Sequence, residues 1–278
     1  MSFRNKIIYA LKSLIILSSC NENKQRLNYN SNLDVNKNYQ VILMAGQSNM
    51  VGLGEVSELS SFYLPNNITY HNYSANTRLK RLLNYSFGPE VGLSRVLNDS
   101  FPALNFLIIK YAVGGSSITD WLPEVDSNIK RSVDFGNLYG KFIKMTDSLT
   151  FKYKTKPIAF LWMQGETDAR YKFNSESYEE NFKLLINKVR KDFKNPDLPV
   201  IYGKVNPKTN EHKFVSNIQK AQSAISLSVP NTFYINTDQL SKQPDNLHYD
   251  ASGLLRLGDK YGEIVALLLK NKELETQK

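Results

Sequence analysis

Residues 41–50 read Val-Ile-Leu-Met-Ala-Gly-Gln-Ser-Asn-Met, an apolar run that ends at a glycine and a short polar segment. An apolar run without polar alternation is typical of a strand buried on both faces of a parallel sheet. In such a sheet, ligands bind outside the carboxyl ends of the strands. The residues after Ala45 are therefore the first place to look for a functional site, and Gly46 permits a sharp turn there.

Four further apolar runs repeat this pattern along the chain. With the first, they cover residues 39–45, 105–112, 157–163, 200–205 and 232–236. Between them lie segments of helical period or helix-forming composition, chiefly 89–97, 136–151, 175–193, 214–227 and 251–270. Strands that alternate with helices predict an α/β fold, a doubly wound three-layer α/β/α sandwich with a five-stranded parallel sheet. We expect the irregular stretch 51–87 to form a substrate-side loop.

The first 38 residues differ in character from the rest. Residues 1–19 combine a basic start, an apolar run and small residues, which is the layout of a signal peptide. The segment Leu-Ser-Ser-Cys that ends at Cys20 resembles the lipobox of bacterial lipoproteins, so we expect Cys20 to carry a lipid. Residues 20–38 have almost no apolar content and suit a flexible tether. One folded domain is then expected over residues 39–278, lipid-anchored at a bacterial cell envelope, in the periplasm or on the outer-membrane surface.

Composition and charge narrow the class of protein. Hydrophobic residues make up 41% of the 278, which is typical of a globular protein, and the formal net charge is +9. Removal of residues 1–19 takes away three basic residues and no acidic one, and so leaves +6. The remaining basic residues are scattered, so no nucleic-acid partner is expected. The single cysteine excludes an internal disulfide and a Cys-rich zinc site.

Polar or glycine-rich segments follow four of the five predicted strands. They are 46–50 (GQSNM), 114–117 (GGSS), 164–168 (QGETD) and 245–248 (DNLH). Because the carboxyl ends of parallel strands meet at one edge of a sheet, we expect these segments to lie close together.

The residue types in these segments are those of a serine hydrolase. A serine nucleophile needs a base with a pKa near neutrality, and histidine is the usual one. Of the three histidines, His71 lies in the irregular stretch and His212 has the character of a surface residue, whereas His248 follows Asp245 by three residues. That spacing lets the carboxylate orient the imidazole, and Ser48 is the candidate nucleophile.

Acyl transfer also needs hydrogen-bond donors for the oxyanion. Gly114 and Gly115 can bring a backbone N–H close to a ligand, and Gln164 can supply a side-chain N–H. Since no glycine stands two residues after Ser48, the segment is not the Gly-x-Ser-x-Gly elbow of α/β-hydrolases.

Five blocks of this sequence resemble the carbohydrate-esterase branch of the SGNH hydrolases. That branch includes the acetylxylan esterases of carbohydrate esterase family 6 and the sialate O-acetylesterase domain. The matching blocks are 41–50, 88–90 (GPE), 114–121 (GGSSITDW), 162–168 (WMQGETD) and 245–248. They occur in the family's order and extend over nearly all of the chain after the predicted tether.

The resemblance implies a flavodoxin-like α/β/α fold, no metal and no cofactor. It implies Ser48 as nucleophile, His248 as general base and then acid, and Asp245 as the residue that orients His248. The oxyanion donors would be the backbone N–H of Ser48, that of Gly115 or alternatively Gly114, and the side chain of Gln164.

Gln47 and Glu166 are expected supporting residues, and Trp121 is an expected substrate contact. Within the matching blocks, Glu166 is expected to be a buried partner that holds the loops of Gln47 and Ser48. Trp121 follows the glycine turn and is a candidate sugar contact at the edge of the site.

The expected function is removal of O-acetyl groups from carbohydrates, either acetylated xylan or O-acetyl sialic acid, through an acetyl-enzyme. Membrane contact is expected only through the lipid anchor. Two alternatives stay open: a non-catalytic carbohydrate-binding protein of the cell surface, and an SGNH lipase or thioesterase that uses the same three residues.

Overall fold

The computed structural model describes residue 34 and residues 36–59, 65–73, 86–122, 135–152 and 155–276. The predicted signal peptide, Cys20 and nearly all of the predicted tether lie outside these residues, as does part of the stretch 51–87. The helices and strands, in chain order, are β1 Tyr39–Gly46, α1 Ser48–Val51, β2 Gly54–Glu55, β3 Ile68–Asn72, β4 Ser86–Phe87, α2 Glu90–Ser100, β5 Asn105–Ala112, α3 Leu138–Lys152, β6 Pro157–Met163, α4 Lys172–Asp192, β7 Val200–Gly203, α5 Val215–Ser228, β8 Thr232–Ile235 and α6 Ala251–Thr276.

A parallel sheet with helices packed against it forms the centre of the fold, and this confirms the predicted α/β class. Its strand order is β3-β5-β1-β6-β7-β8, and every neighbouring pair is parallel. The first apolar run of the sequence becomes β1, which lies between β5 and β6 and has no exposed side chain from Val41 to Ala45. The carboxyl end of β1 therefore opens at the middle of one sheet edge.

Over the residues that the structure describes, the sheet has six strands, so the expected number of five is wrong. The additional strand, β3, pairs with β5 and, in the described part of the chain, forms one edge of the sheet. Its sequence is Ile-Thr-Tyr-His-Asn, and its last two residues are only half-buried. Because an edge strand is short and partly solvated, its sequence lacks the continuous apolar run that identified the other strands.

A buried ion pair supports the short helix α1. Lys110, from the middle of β5, contacts Glu90 at the start of α2, with Nζ and Oε2 2.7 Å apart and neither side chain exposed by more than 1%. Lys110 Nζ also donates to the carbonyl oxygen of Val51, the last residue of α1, at 2.8 Å. The second carboxylate oxygen of Glu90 accepts from the backbone N–H of Gly88 at 3.0 Å. The Gly-Pro-Glu block is thereby fixed to the end of α1.

Helices α2 and α6 pack at backbone contact. A Cβ atom placed on Gly92 would lie 2.1 Å from the carbonyl oxygen of Leu255, and one on Gly258 would lie 2.0 Å from that of Pro89. Glycine is the residue that fits such an approach. Among the described residues, no helix is both long enough and apolar enough to cross a bilayer.

Candidate active site

The turn after β1 positions Ser48. Gly46 has a φ of +146°, and a Cβ there would lie 2.1 Å from the carbonyl oxygen of Met163 at the end of β6. The same carbonyl accepts from the backbone N–H of Gln47 at 2.9 Å. The chain therefore leaves the sheet against the end of β6, and Ser48 begins α1 at the carboxyl edge of the strands.

Ser48, His248 and Asp245 form a continuous hydrogen-bonded chain. Nε2 of His248 lies 3.0 Å from Oγ of Ser48, although 200 residues separate the two along the chain. Nδ1 of His248 lies 2.6 Å from Oδ2 of Asp245. The other carboxylate oxygen of Asp245 accepts from the backbone N–H groups of Leu247 and His248, each at 2.9 Å. The structure thus brings together the three residues that the sequence indicated.

This arrangement sets the protonation pattern of the imidazole. Partial burial acts to raise the pKa of Asp245, but the hydrogen bonds from His248 and from two backbone N–H groups outweigh it, and the pKa lies below its usual value. An ionised carboxylate accepts hydrogen bonds, so Nδ1 carries the ring proton. Nε2 is then free to accept the proton of Ser48, as a general base must.

A cavity of about 330 Å³ opens beside Ser48 and His248. Gly114 and Gly115 also line it, and Gly115 has a φ of +79°, in a turn where a Cβ would meet only Cζ of Phe135, at 4.0 Å. The backbone N–H groups of Ser48, Gly114 and Gly115 donate to no group of the described residues. These N–H groups are available to an oxyanion, and either glycine lies where it can contribute.

Gln164 does not reach this cavity, so its expected role as an oxyanion donor is wrong for this structure. Its side chain is fully buried, and Nε2 donates to the carbonyl oxygen of Ser116 at 3.1 Å, to Oε1 of Gln47 at 3.3 Å and to the carboxylate of Asp168. The amide nitrogen is therefore committed to three internal acceptors. Gln47, not Gln164, is the glutamine that lines the cavity.

Glu166 is buried, as expected, but the residue that it holds is Asn49. Its Oε1 accepts from Nδ2 of Asn49 at 2.6 Å, and burial raises its pKa. Gln47 is held instead by the backbone, since its Oε1 accepts from the N–H groups of Gly165 and Thr167, each at 3.3 Å. The expectation that Glu166 holds both loops is thus corrected to a contact with the residue after Ser48.

Asp168 connects the end of β6 to the glycine turn. It is fully buried and accepts from the backbone N–H of Ile118 at 3.1 Å and from Gln164. Burial raises its pKa to about 7, and the hydrogen bonds from Gln164 and Ile118 oppose that effect. Asp168 therefore fixes the segment that follows Gly115 without lining the cavity.

Trp121 is a core residue, so its expected sugar contact is wrong. Its side chain is 1% exposed, and Nε1 donates to Oγ of Ser116 at 3.0 Å. The indole packs edge-on against Trp162, with ring centroids 5.3 Å apart, and against Tyr111 at 5.6 Å. Because the polar atom of Trp121 finds an internal partner, the ring is satisfied inside the protein and does not line the cavity.

Sequence reasoning missed one side of the cavity. Thr167, Arg170 and His212 line it, and His212 is 5% exposed, although its sequence neighbours indicated a surface residue. Nδ1 of His212 lies 2.6 Å from Oγ1 of Thr209, and the guanidinium of Arg170 lies 2.5 Å from the carboxylate of Glu211. In the sequence, the signal for this side was the segment 164–168, which contains Thr167 and ends two residues before Arg170.

Within the described ranges, no group of three or more His, Cys, Asp or Glu side chains is placed to hold a metal ion. The groups that the described residues place at the cavity include a serine hydroxyl, an oriented imidazole and three backbone N–H groups.

Comparison with known proteins finds a matching family and similar proteins. The profile of a family described as carbohydrate esterase, sialic acid-specific acetylesterase, matches residues 38–266. A probable carbohydrate esterase of Arabidopsis thaliana is 24% identical over 243 residues, which are 79% of this chain and 87% of that protein.

Solved structures show the same fold. The crystal structure of an Arabidopsis thaliana protein superposes with a TM-score of 0.64 at 22% identity, over 81% of this chain and 97% of that one. A carbohydrate acetylesterase from Xanthomonas citri gives 0.61 at 17% identity, over 80% of this chain and 55% of that one. The protein named NanS gives 0.60 at 17% identity, over 84% and 98% of the two chains.

Proposed function

The chain belongs to the sialic acid-specific acetylesterase family of carbohydrate esterases, and from this we propose that it removes O-acetyl groups from sugars through an acetyl-enzyme on Ser48. The observation that carries the proposal is the chain of hydrogen bonds from Asp245 through His248 to Ser48, with lengths of 2.6 and 3.0 Å, at the wall of a cavity.

The first half of the reaction forms the acetyl-enzyme. His248 takes the proton of Ser48 at Nε2 while Oγ attacks the acetyl carbonyl carbon. The carbonyl oxygen becomes an oxyanion, and the backbone N–H of Ser48 and that of Gly115 or Gly114 donate to it. Asp245 stabilises the imidazolium that forms. When the carbon–oxygen bond to the sugar breaks, His248 gives its proton to the sugar oxygen, which leaves as a hydroxyl group.

The second half repeats these steps with water. His248 accepts a proton from a water molecule as that water attacks the acetyl group on Ser48. The same N–H groups hold the second oxyanion, and its collapse releases acetate. Nε2 then returns the proton to Oγ. Each proton moves between named groups, so the proposed cycle needs no cofactor.

For the substrate, we propose O-acetyl sialic acid ahead of acetylated xylan. Sialic acid carries a carboxylate, which acetylated xylose lacks, and Arg170 brings a cation to the cavity wall. The guanidinium contacts Glu211, and both side chains stay partly exposed, so the remaining N–H donors can turn toward a substrate carboxylate. Arg170→Gln should therefore slow acetate release from O-acetyl sialic acid and leave release from acetylated xylan unchanged.

Acetate release from both substrates tests the proposed function. Ser48→Ala should lower turnover by roughly 10⁴- to 10⁶-fold, and Asp245→Asn by roughly 10⁴-fold, because Asn cannot fix the imidazole in the required tautomer. Ser228→Ala is the matched control, since this serine is exposed on α5. Ser48→Ala with the activity of Ser228→Ala would refute the proposal. Sugar binding without acetate release would favour the binding protein, and turnover of long-chain esters or thioesters alone would favour the lipase or thioesterase.

We also propose that residues 1–19 are a signal peptide, that Cys20 is lipidated, and that residues up to 38 tether the domain to the bacterial envelope. The start of β1 at Tyr39 and of the family match at residue 38 supports this division. Cells fed an alkyne fatty acid should label the wild-type protein and leave Cys20→Ser unlabelled. Equal labelling of the two proteins would contradict lipidation at Cys20.

A further inference from the structure

We propose that Asn49 is a positioning residue that sets the distance between Ser48 and His248. The inference rests on the roles proposed for those two residues and concerns a side chain to which the proposed mechanism assigns nothing. Asn49 directly follows Ser48 in α1, is 2% exposed, and contacts the loop that carries His248.

The two contacts lie on either side of His248. Nδ2 of Asn49 donates to the carbonyl oxygen of Leu247 at 3.3 Å, and Oδ1 accepts from the backbone N–H of Tyr249 at 3.0 Å. One amide thus binds the residue before His248 and the residue after it. Because Asn49 and Ser48 are consecutive in one helical turn, the loop of the base is fixed directly to the turn of the nucleophile.

Glu166 holds the amide of Asn49 in the required orientation. Its Oε1 accepts from Nδ2 of Asn49 at 2.6 Å, and the carboxylate is 1% exposed. Nδ2 therefore faces two acceptors, while Oδ1 faces a donor. A rotation of the amide by 180° would put oxygen against both acceptors and nitrogen against the N–H of Tyr249, so the three contacts select one orientation.

The rest of the loop explains why this contact matters. Asp245 and His248 belong to the same segment, so their 2.6 Å bond orients the ring within the loop and does not attach the loop to α1. The backbone N–H of Gln243 donates to the carbonyl oxygen of His248 at 2.8 Å, which is again a contact within the segment. Nε2 of Gln243 also donates to the carbonyl oxygen of Leu53, beyond the end of α1, at 3.2 Å. Asn49 holds the backbone on both sides of His248 to the nucleophile's own helix. A displacement of about 1 Å at a catalytic group can cost roughly 10²-fold in rate.

Variants at positions 49 and 166 test the proposal, with Asn67→Ala as the matched control. Asn67 also binds two backbone carbonyls, those of Phe101 and Leu104. It stands before the start of β3, whereas Ser48 stands after the end of β1, so the two lie at opposite ends of the parallel strands. Asn49→Ala should lower kcat by about 10- to 100-fold with KM within about twofold. Asn67→Ala should change neither value, although it loses comparable hydrogen bonds.

The exchange of partners gives a second test. Asn49→Asp places a carboxylate against the Glu166 carboxylate and the Leu247 carbonyl, so it should lower kcat at least as much as Asn49→Ala. When Asn49→Asp is combined with Glu166→Gln, the amide introduced at position 166 can donate to the carboxylate introduced at position 49, and kcat should rise above that of Asn49→Asp alone. A double variant as slow as Asn49→Asp would refute the role of Glu166.

Crystal structures separate this proposal from the proposed function. In Asn49→Ala, the distance from Oγ of Ser48 to Nε2 of His248 should exceed 3.0 Å by about 0.5 Å or more, whereas Asn67→Ala should keep the wild-type value. An unchanged distance in Asn49→Ala refutes the positioning role whether or not the protein hydrolyses acetate esters. A wild-type protein without esterase activity refutes the proposed function, while this distance still decides the role of Asn49. If Asn49→Ala does not fold, Asn49→Ser is measured in its place.

Discussion

Replacement of Lys110 by methionine should destabilise the fold strongly at neutral pH. The lysine and Glu90 are buried side by side, so Lys110→Met leaves a carboxylate in the core without the cation that contacts it at 2.7 Å, while the backbone N–H of Gly88 still donates to it. Removal of one partner of a buried ion pair costs about 3–5 kcal/mol. For a domain of this size, each kcal/mol lowers Tm by about 2–4 °C, so the expected loss is about 6–20 °C.

The size of this effect should depend on pH. A carboxyl group that is buried without its cation can avoid the charge by taking up a proton, and this uptake becomes easier as the pH falls. A carboxyl group protonated in the folded state and ionised in the unfolded state loses stability as pH rises. The melting temperature of Lys110→Met should therefore lie close to that of the wild type at pH 5 and far below it at pH 7.

Thermal unfolding at both pH values, followed by circular dichroism, measures the effect. Lys110→Met combined with Glu90→Gln should recover much of the loss at pH 7, because the amide keeps an acceptor for Gly88 and carries no charge. If Lys110→Met melts within about 2 °C of the wild type at pH 7, or if its loss of melting temperature is the same at pH 5, the buried ion pair does not have the expected effect. A double variant as unstable as Lys110→Met would also refute that expectation.

Two other substitutions test separate parts of the site. Because burial raises the pKa of Asp168 to about 7, ionising it costs the folded state more than the unfolded state, so the free energy of unfolding should fall as pH rises from about 4 to 7. Asp168→Asn should flatten this decline in urea unfolding, and an unchanged slope would contradict the raised pKa. Trp121→Phe should lower stability by about 1–2 kcal/mol, since it loses the bond to Ser116, and leave KM for acetylated substrates unchanged; a raised KM would show that the indole contacts substrate.

The parts of the fold that could be predicted are those encoded in short local patterns. The run before Gly46 has enough continuous apolar residues to identify a buried strand, and the turn after it could be placed at a sheet edge from that alone. Ser48 stands directly after such a turn, and the Asp245–His248 pair follows the end of the last strand by about ten residues, so a general rule about parallel sheets sufficed to bring them together.

The parts that could not be predicted depend on where a side chain points after a strand ends. Gln47 and Gln164 both follow buried strands, and no local pattern indicates which amide lines the cavity and which one binds internal acceptors. Trp121 follows a glycine turn, yet its burial depends on Trp162 and Tyr111, which come from other strands. These outcomes depend on contacts between segments distant in sequence.

The burial of Lys110 within β5 also depends on contacts between segments distant in sequence. A lysine inside an apolar run suggests an interruption or an exposed position, because a buried charge requires a partner. That partner, Glu90, lies 20 residues earlier at the start of a helix, and the contact with Val51 lies further still along the chain. Only the packing of α2 and α1 against β5 makes the position suitable for a charge.

The separation of Ser48 and His248 by 200 residues has a consequence for biosynthesis. At translation rates of about 5–20 residues per second, the histidine is added roughly 10–40 s after the serine. During that interval the nascent chain holds a serine hydroxyl with no base beside it. The ability to cleave an ester therefore arises late in synthesis, when the loop that carries His248 can dock against α1.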